Sequence, residues 1–194
     1  MQNFTDERER AAWPETGIMN IVLIGYRGAG KSTVGRLLAE ALRRKFVDTD
    51  EVLARRERSS ILDIVENFGW PRFRTLEREI IREAAREDNL VIAPGGGAVL
   101  DGGNVSCLKR NGLVIWLRAE ARVLGKRLER SRRTAAARPA LTPKGVLEEL
   151  EEVLTAREPF YAQAADLQIE TSRSTKKEVL ESILSALHEN AERI

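Results

Sequence analysis

The stretch "GYRGAGKST" at residues 25–33 fulfils the pattern G-x-x-x-x-G-K-[ST] in full, and its flanks give it a structural setting. Upstream, "GIMNIVLIG" (17–25) is a nearly continuous apolar run ending in glycine, the mark of a strand covered on both faces. Downstream, "KSTVGRLLAEALRRK" spaces Val34, Leu37, Leu38 and Ala41 as one face of a helix. A strand, a glycine-rich turn and a helix in that order make a phosphate cradle. Backbone N–H groups of Gly28, Ala29, Gly30, Lys31, Ser32 and Thr33 point around phosphate oxygens, and the helix N-terminus adds positive potential. Lys31 is placed for the β- and γ-phosphates and the Ser32 hydroxyl for magnesium. The chain has no N-K-x-D guanine-reading pattern, which favours ATP over GTP.

The rest of the chain alternates strands with helices. Strands are expected at "KFVD" (45–48), "NLVIAPGGG" (89–97), "NGLVIWLRA" (111–119) and "DLQIET" (166–171). Helices are expected at "EVLARRER", from Ser59 and Ser60 to "ENFG", from Pro71 through "RFRTLEREIIREAARED", at "EARVLGKRLER", from Thr142 and Pro143 onward, and after the capping box Thr175-x-x-Glu178. Phe73, Leu76, Ile80 and Ala84 share one predicted helix face, and Val179, Ile183 and Leu187 another. This alternation predicts a single α/β domain, a central parallel sheet flanked by helices. Its length of 194 residues suits one domain, and its apolar runs are too short to cross a bilayer. The stretch 1–17 mixes acids with arginines without an apolar h-region, so it reads as a flexible extension and the protein as cytoplasmic.

One cysteine, Cys107, and one histidine, His188, allow neither an internal disulfide nor a Cys/His zinc site, so the chemistry rests on carboxylates, cationic side chains and backbone. A net charge of +2 gives no general attraction to nucleic acid. Arginines nevertheless gather in 125–140, and the polar, alanine-rich segment there is expected to be mobile.

A kinase must hold an acceptor in line with the γ-phosphoryl group. In "FVDTDE" (46–51), Asp48 suits support of magnesium, directly or through water. Asp50 fits two roles equally, an N-cap of the following helix or an acceptor of hydrogen bonds from a substrate hydroxyl. The glycines of "PGGGAV" (94–99) follow a strand at the sheet edge where α/β ligands bind, and also suit a plain tight turn. Taken singly, Arg74 reads as a helix-surface arginine and Arg157 as a charge favourable to a helix C-terminus.

As an ordered set, the P-loop, then "DTD", "FR", "GGGAV", "RPAL" and "REPFY", resembles the shikimate kinase family from about Asn20 to the C-terminal helix. The resemblance implies a single-domain P-loop kinase (18–194) with a five-stranded parallel sheet and a lid over about 130–142. It implies transfer of the γ-phosphoryl group of ATP to the 3-hydroxyl of shikimate, with Mg2+, by a monomer. It places hydroxyl binding and assistance to the reacting group on Asp50 and the magnesium environment on Asp48. Arg74, Gly95, Gly96, Gly97 and Arg157 would then form the pocket for a carboxylate-bearing polyol. Arg138 of "RP" would be the lid arginine and Arg173 a nucleotide contact. Lys31, Asp50 and Arg138 would carry the catalysis. The lid departs from the family at Ala140, where leucine is more usual. A gluconate or nucleoside monophosphate kinase would share the P-loop and lid without needing Asp50, Arg74 and Arg157 together. A noncatalytic nucleotide-binding module would be expected to have lost one of these residues.

Overall fold

The computed structural model describes residues 20–130 and 146–191. Its sheet is built from strands β1 (Asn20–Ile24), β2 (Lys45–Asp48), β3 (Leu90–Ala93), β4 (Gly112–Arg118) and β5 (Leu167–Glu170), all parallel, in the order β2-β3-β1-β4-β5. Around it lie α1 (Lys31–Ala41), α2 (Thr49–Glu57), α3 (Ile61–Ala84), α4 (Gly102–Arg110), α5 (Ala121–Arg130), α6 (Val146–Ala164) and α7 (Lys176–Ala191).

The apolar run at the chain's start forms β1 because both of its faces find cover. Ile21 and Leu23 join Leu38 of α1 and Ile183 and Leu187 of α7 on one side. Val22 and Ile24 join Ile81 of α3 and Leu108 of α4 on the other. Period-two alternation therefore carries one strand into two cores. A third cluster packs Leu53 of α2 against Ile61, Ile64, Phe73, Leu76 and Ile80 of α3.

Two expectations shift. On α1 the buried residues after Lys31 are Val34, Gly35, Leu38 and Ala39, while Ala41 is exposed. The stripe turns toward Gly35 because Phe46 of β2 packs against that glycine, where a Cβ would lie 2.4 Å from its ring. The two helices expected around Pro71 run together as α3, broken at Gly69, whose φ of 76° and ψ of 168° no helix contains. The extension 1–17, the lid beyond Arg130, the cap at Thr142 and Pro143, and Arg138 lie outside the described residues.

Candidate active site

The C-terminal edge of β1 delivers the phosphate loop. Gly25 turns the chain out of the strand at φ 141°, and a Cβ there would stand 2.5 Å from the Leu117 carbonyl of β4. Ala29 donates its N–H to the Tyr26 carbonyl at 3.1 Å and closes the turn. Helix α1 starts at Gly30 with no side-chain cap, which leaves the helix N-terminus facing the loop. Lys31 is buried, and its ammonium donates to the carbonyls of Gly25 at 2.7 Å and Tyr26 at 3.2 Å, curling over the loop.

Asp48 ends β2 beside this loop. Its Oδ2 accepts from the Ser32 hydroxyl at 2.6 Å, and its Oδ1 accepts from the N–H groups of Asp50 and Glu51. The cap of α2 is thus Asp48, which removes the helix-cap alternative for Asp50. The physical reason is register: pairing with Ala93 holds Asp48 in extended conformation (φ −95°, ψ 114°), so the helix begins at Thr49 and Asp50 falls inside its first turn. Ser32 and Asp48 offer two hard oxygens side by side, the donor chemistry that magnesium takes in kinases, where phosphates and water complete its shell. Among the described residues no group of three or more His, Cys, Asp or Glu could hold a metal by itself.

Asp50, 8% exposed, instead faces a second pocket beside the P-loop. Arg27, Arg74 and Arg157 line it with Gly95, Gly96 and Gly97, so the sequence-predicted groups from four separate segments meet in one place. The glycines are required by close approach. A Cβ at Gly95 would lie 2.8 Å from Asp50 Oδ1 and 2.9 Å from Glu77 Oε1, and one at Gly97 would lie 2.6 Å from Arg74 Nη2. Arg74 is held on several sides. It donates to Glu77 Oε2 at 2.6 Å, and its guanidinium carbon stands 5.5 Å from the Trp70 ring centre and 5.1 Å from that of Phe73.

Glu77 escaped the sequence reading, although it carried a signal. It lies four residues after Phe73 and three before Ile80, a carboxylate on the apolar stripe of α3. It is 2% exposed, and its Oε1 is buried without a hydrogen-bond partner among the described residues. Burial raises its pKa above the usual carboxylate value; Arg74 opposes the shift and Asp50 adds to it. Arg27 was also missed, since it occupies an unrestricted position of the loop pattern. So was Arg127 of α5, which donates to the Gly28 carbonyl at 3.4 Å, to Thr171 Oγ1 at 3.1 Å and to the Thr171 carbonyl at 2.5 Å. It ties the phosphate loop to the segment after β5, where Arg173 is exposed.

A P-loop on a five-stranded parallel sheet, next to a pocket of arginines and carboxylates, defines a P-loop kinase with a small anionic polyol as acceptor. A model of the shikimate kinase family matches residues 27–188, and the chain belongs to that family. It is 45% identical over 180 residues to a shikimate kinase of Symbiobacterium thermophilum, covering 90% of this chain and 99% of that one. Its fold is similar to that of shikimate kinase from Acinetobacter baumannii in complex with shikimate, with a TM-score of 0.82 and 36% identity over 89% of this chain and 94% of that one. Shikimate kinase from Aquifex aeolicus gives a TM-score of 0.73 at 33% identity, covering 89% and 98%.

Proposed function

We propose that this chain transfers the γ-phosphoryl group of ATP to the 3-hydroxyl of shikimate, giving shikimate 3-phosphate and ADP. The observation that carries the substrate assignment is the pocket itself: Arg74 and Arg157 converge with Asp50 and the three glycines beside the P-loop. Shikimate presents one carboxylate and several hydroxyls. Guanidinium groups bind a planar carboxylate through paired N–H bonds, and the carboxylates of Asp50 and Glu77 accept from hydroxyls.

In this reading Lys31 leaves the P-loop carbonyls for the β- and γ-phosphates, while the loop N–H groups hold the phosphate chain in line with the acceptor. Asp50 orients the reacting hydroxyl and takes up its proton as the bond to phosphorus forms; a loose transition state asks little of that base. Glu77 braces Arg74 and offers its buried Oε1 to a second hydroxyl. Ser32 and Asp48 would hold Mg2+ with the nucleotide, and the ion would supply positive charge against the phosphate oxygens.

A nucleotide contact at Arg173 and a catalytic contribution from Arg138 belong to the same proposal. So does a monomeric enzyme in the cytoplasm, with no nucleic-acid or membrane partner. No helix among the described residues is long and apolar enough to span a membrane.

Calorimetric titration of shikimate tests the carboxylate clamp. Arg74→Ala and Arg157→Ala should each weaken binding about tenfold to a hundredfold, the worth of a charged hydrogen-bonded contact, with ADP affinity within about twofold of wild type. Unchanged shikimate affinity in both variants would refute the clamp.

A further inference from the structure

The glycine triplet poses a mechanical problem. Three successive glycines have more backbone freedom than any other tripeptide, yet they form the wall between the acceptor pocket and the phosphate loop. A Cβ on Gly96 would lie 3.4 Å from both the Arg27 nitrogen and the Gly25 carbonyl oxygen, and Gly97 abuts the Arg74 guanidinium. A peptide in this position must keep one orientation if its N–H groups are to meet a substrate, and glycine itself supplies no restraint.

The Gly95 N–H donates to Thr49 Oγ1, and the Gly95 and Gly97 carbonyls accept from the N–H groups of Ala98 and Leu100, while the restraint on the Gly96 carbonyl between them comes from α6. Tyr161 donates its hydroxyl to the Gly96 carbonyl at 2.5 Å, and Arg157, one helical turn earlier on the same face, reaches that carbonyl at 3.5 Å. Tyr161 is itself immobilised, 1% exposed and stacked on Trp116 of β4 with ring centres 5.6 Å apart and planes at 21°. Burial pushes its pKa up to about 12, so it stays a donor at any pH at which the enzyme is assayed. A trans peptide is planar, with the N–H opposite the C=O. Fixing the Gly96 carbonyl toward α6 therefore also fixes the Gly97 N–H, on the opposite side of that peptide.

We infer that Tyr161 is a positioning residue for the acceptor: its hydroxyl sets the Gly96–Gly97 peptide so that the Gly97 N–H faces the substrate. It also supplies the stronger bond to the shared carbonyl, leaving the Arg157 guanidinium to turn toward the substrate carboxylate. Tyr161 touches neither substrate and acts through Gly96 and Arg157. This role rests on the shikimate reading of the pocket.

The test is Tyr161→Phe in the full chain, which removes one oxygen and keeps the ring on Trp116. Steady-state kinetics should show the KM for shikimate raised about tenfold, the loss expected for one well-made hydrogen bond that orients a ligand contact, with the KM for ATP within about twofold. The Tm and its increase with ADP should stay close to wild type, showing an intact fold and P-loop. A shikimate KM within about twofold of wild type would overturn the inference. So would a rise of both KM values together with a large fall in Tm, the signature of a merely structural tyrosine. Absence of shikimate turnover in the wild-type protein would instead remove the substrate reading on which the inference stands, and the two failures are thereby told apart.

Discussion

Asp50 and Glu77 show how the site assigns different work to two carboxylates that both approach one glycine. Asp50 sits at the pocket on the first turn of α2; Glu77 is buried more deeply and bound to Arg74. Asp50→Asn keeps the shape and a hydrogen-bonding group but removes the charge and the base. Turnover measured by ADP release should fall about a hundredfold or more, with ATP affinity within about twofold. A near-wild-type rate would show that Asp50 does no more than fill its turn. Singly, Asp50 reads as cap or ligand and Arg74 and Arg157 as surface charges; only the ordered set of motifs that resembles the shikimate kinase family assigns them to one pocket. Glu77 and Arg27 stayed hidden for a physical reason. Glu77 stands on the apolar stripe of α3, which hints at burial, but its partner Arg74 and its approach to Gly95 exist only in the fold, and Arg27 fills an unrestricted position of the loop pattern.

At the scale of elements, Asp48 joins β2, α2 and α1. One of its oxygens caps α2 and the other accepts from Ser32, so capping and the proposed magnesium position share a side chain. Asp48→Asn keeps an oxygen for the cap and loses the charge, and it should leave stability within about 0.5 kcal/mol while weakening magnesium-dependent nucleotide binding. Asp48→Ala loses both functions and should cost about 1 kcal/mol of stability as well. Chemical denaturation of the two variants separates the contributions; equal stability losses would contradict the division. Element order was legible from the alternation of apolar runs and helical stripes. Element boundaries were less so, because strand pairing decides them. Asp48 and Asp50 both suit a cap in isolation, and only the register of β2 against Asp48's partner Ala93 makes the first of them the cap.

For the whole molecule, the burial of Glu77 links stability to pH. Its folded pKa lies above its value of 4.5 in the unfolded chain, so its contribution is fully present below pH 4.5 and is lost as pH rises through the folded value. Glu77→Gln removes that loss. The Tm difference, variant minus wild type, should therefore become more favourable to the variant between pH 4 and pH 7, even as the variant loses shikimate affinity. A difference that stays flat, or moves the other way, would mean that the Arg74 ion pair outweighs the cost of burial. Fold and site agree at this scale as well. The same sheet edge presents the P-loop at the end of β1 and the acceptor groups after β2 and β3, bringing donor and acceptor together at one wall.

The most direct test of the account is a coupled ADP-release assay on the purified chain with ATP and Mg2+, comparing shikimate, gluconate and AMP as acceptors at equal concentration. The account predicts turnover dependent on shikimate, with gluconate and AMP at the background rate of ATP hydrolysis. Background rates with all three acceptors, or a preference for gluconate or AMP, would contradict it.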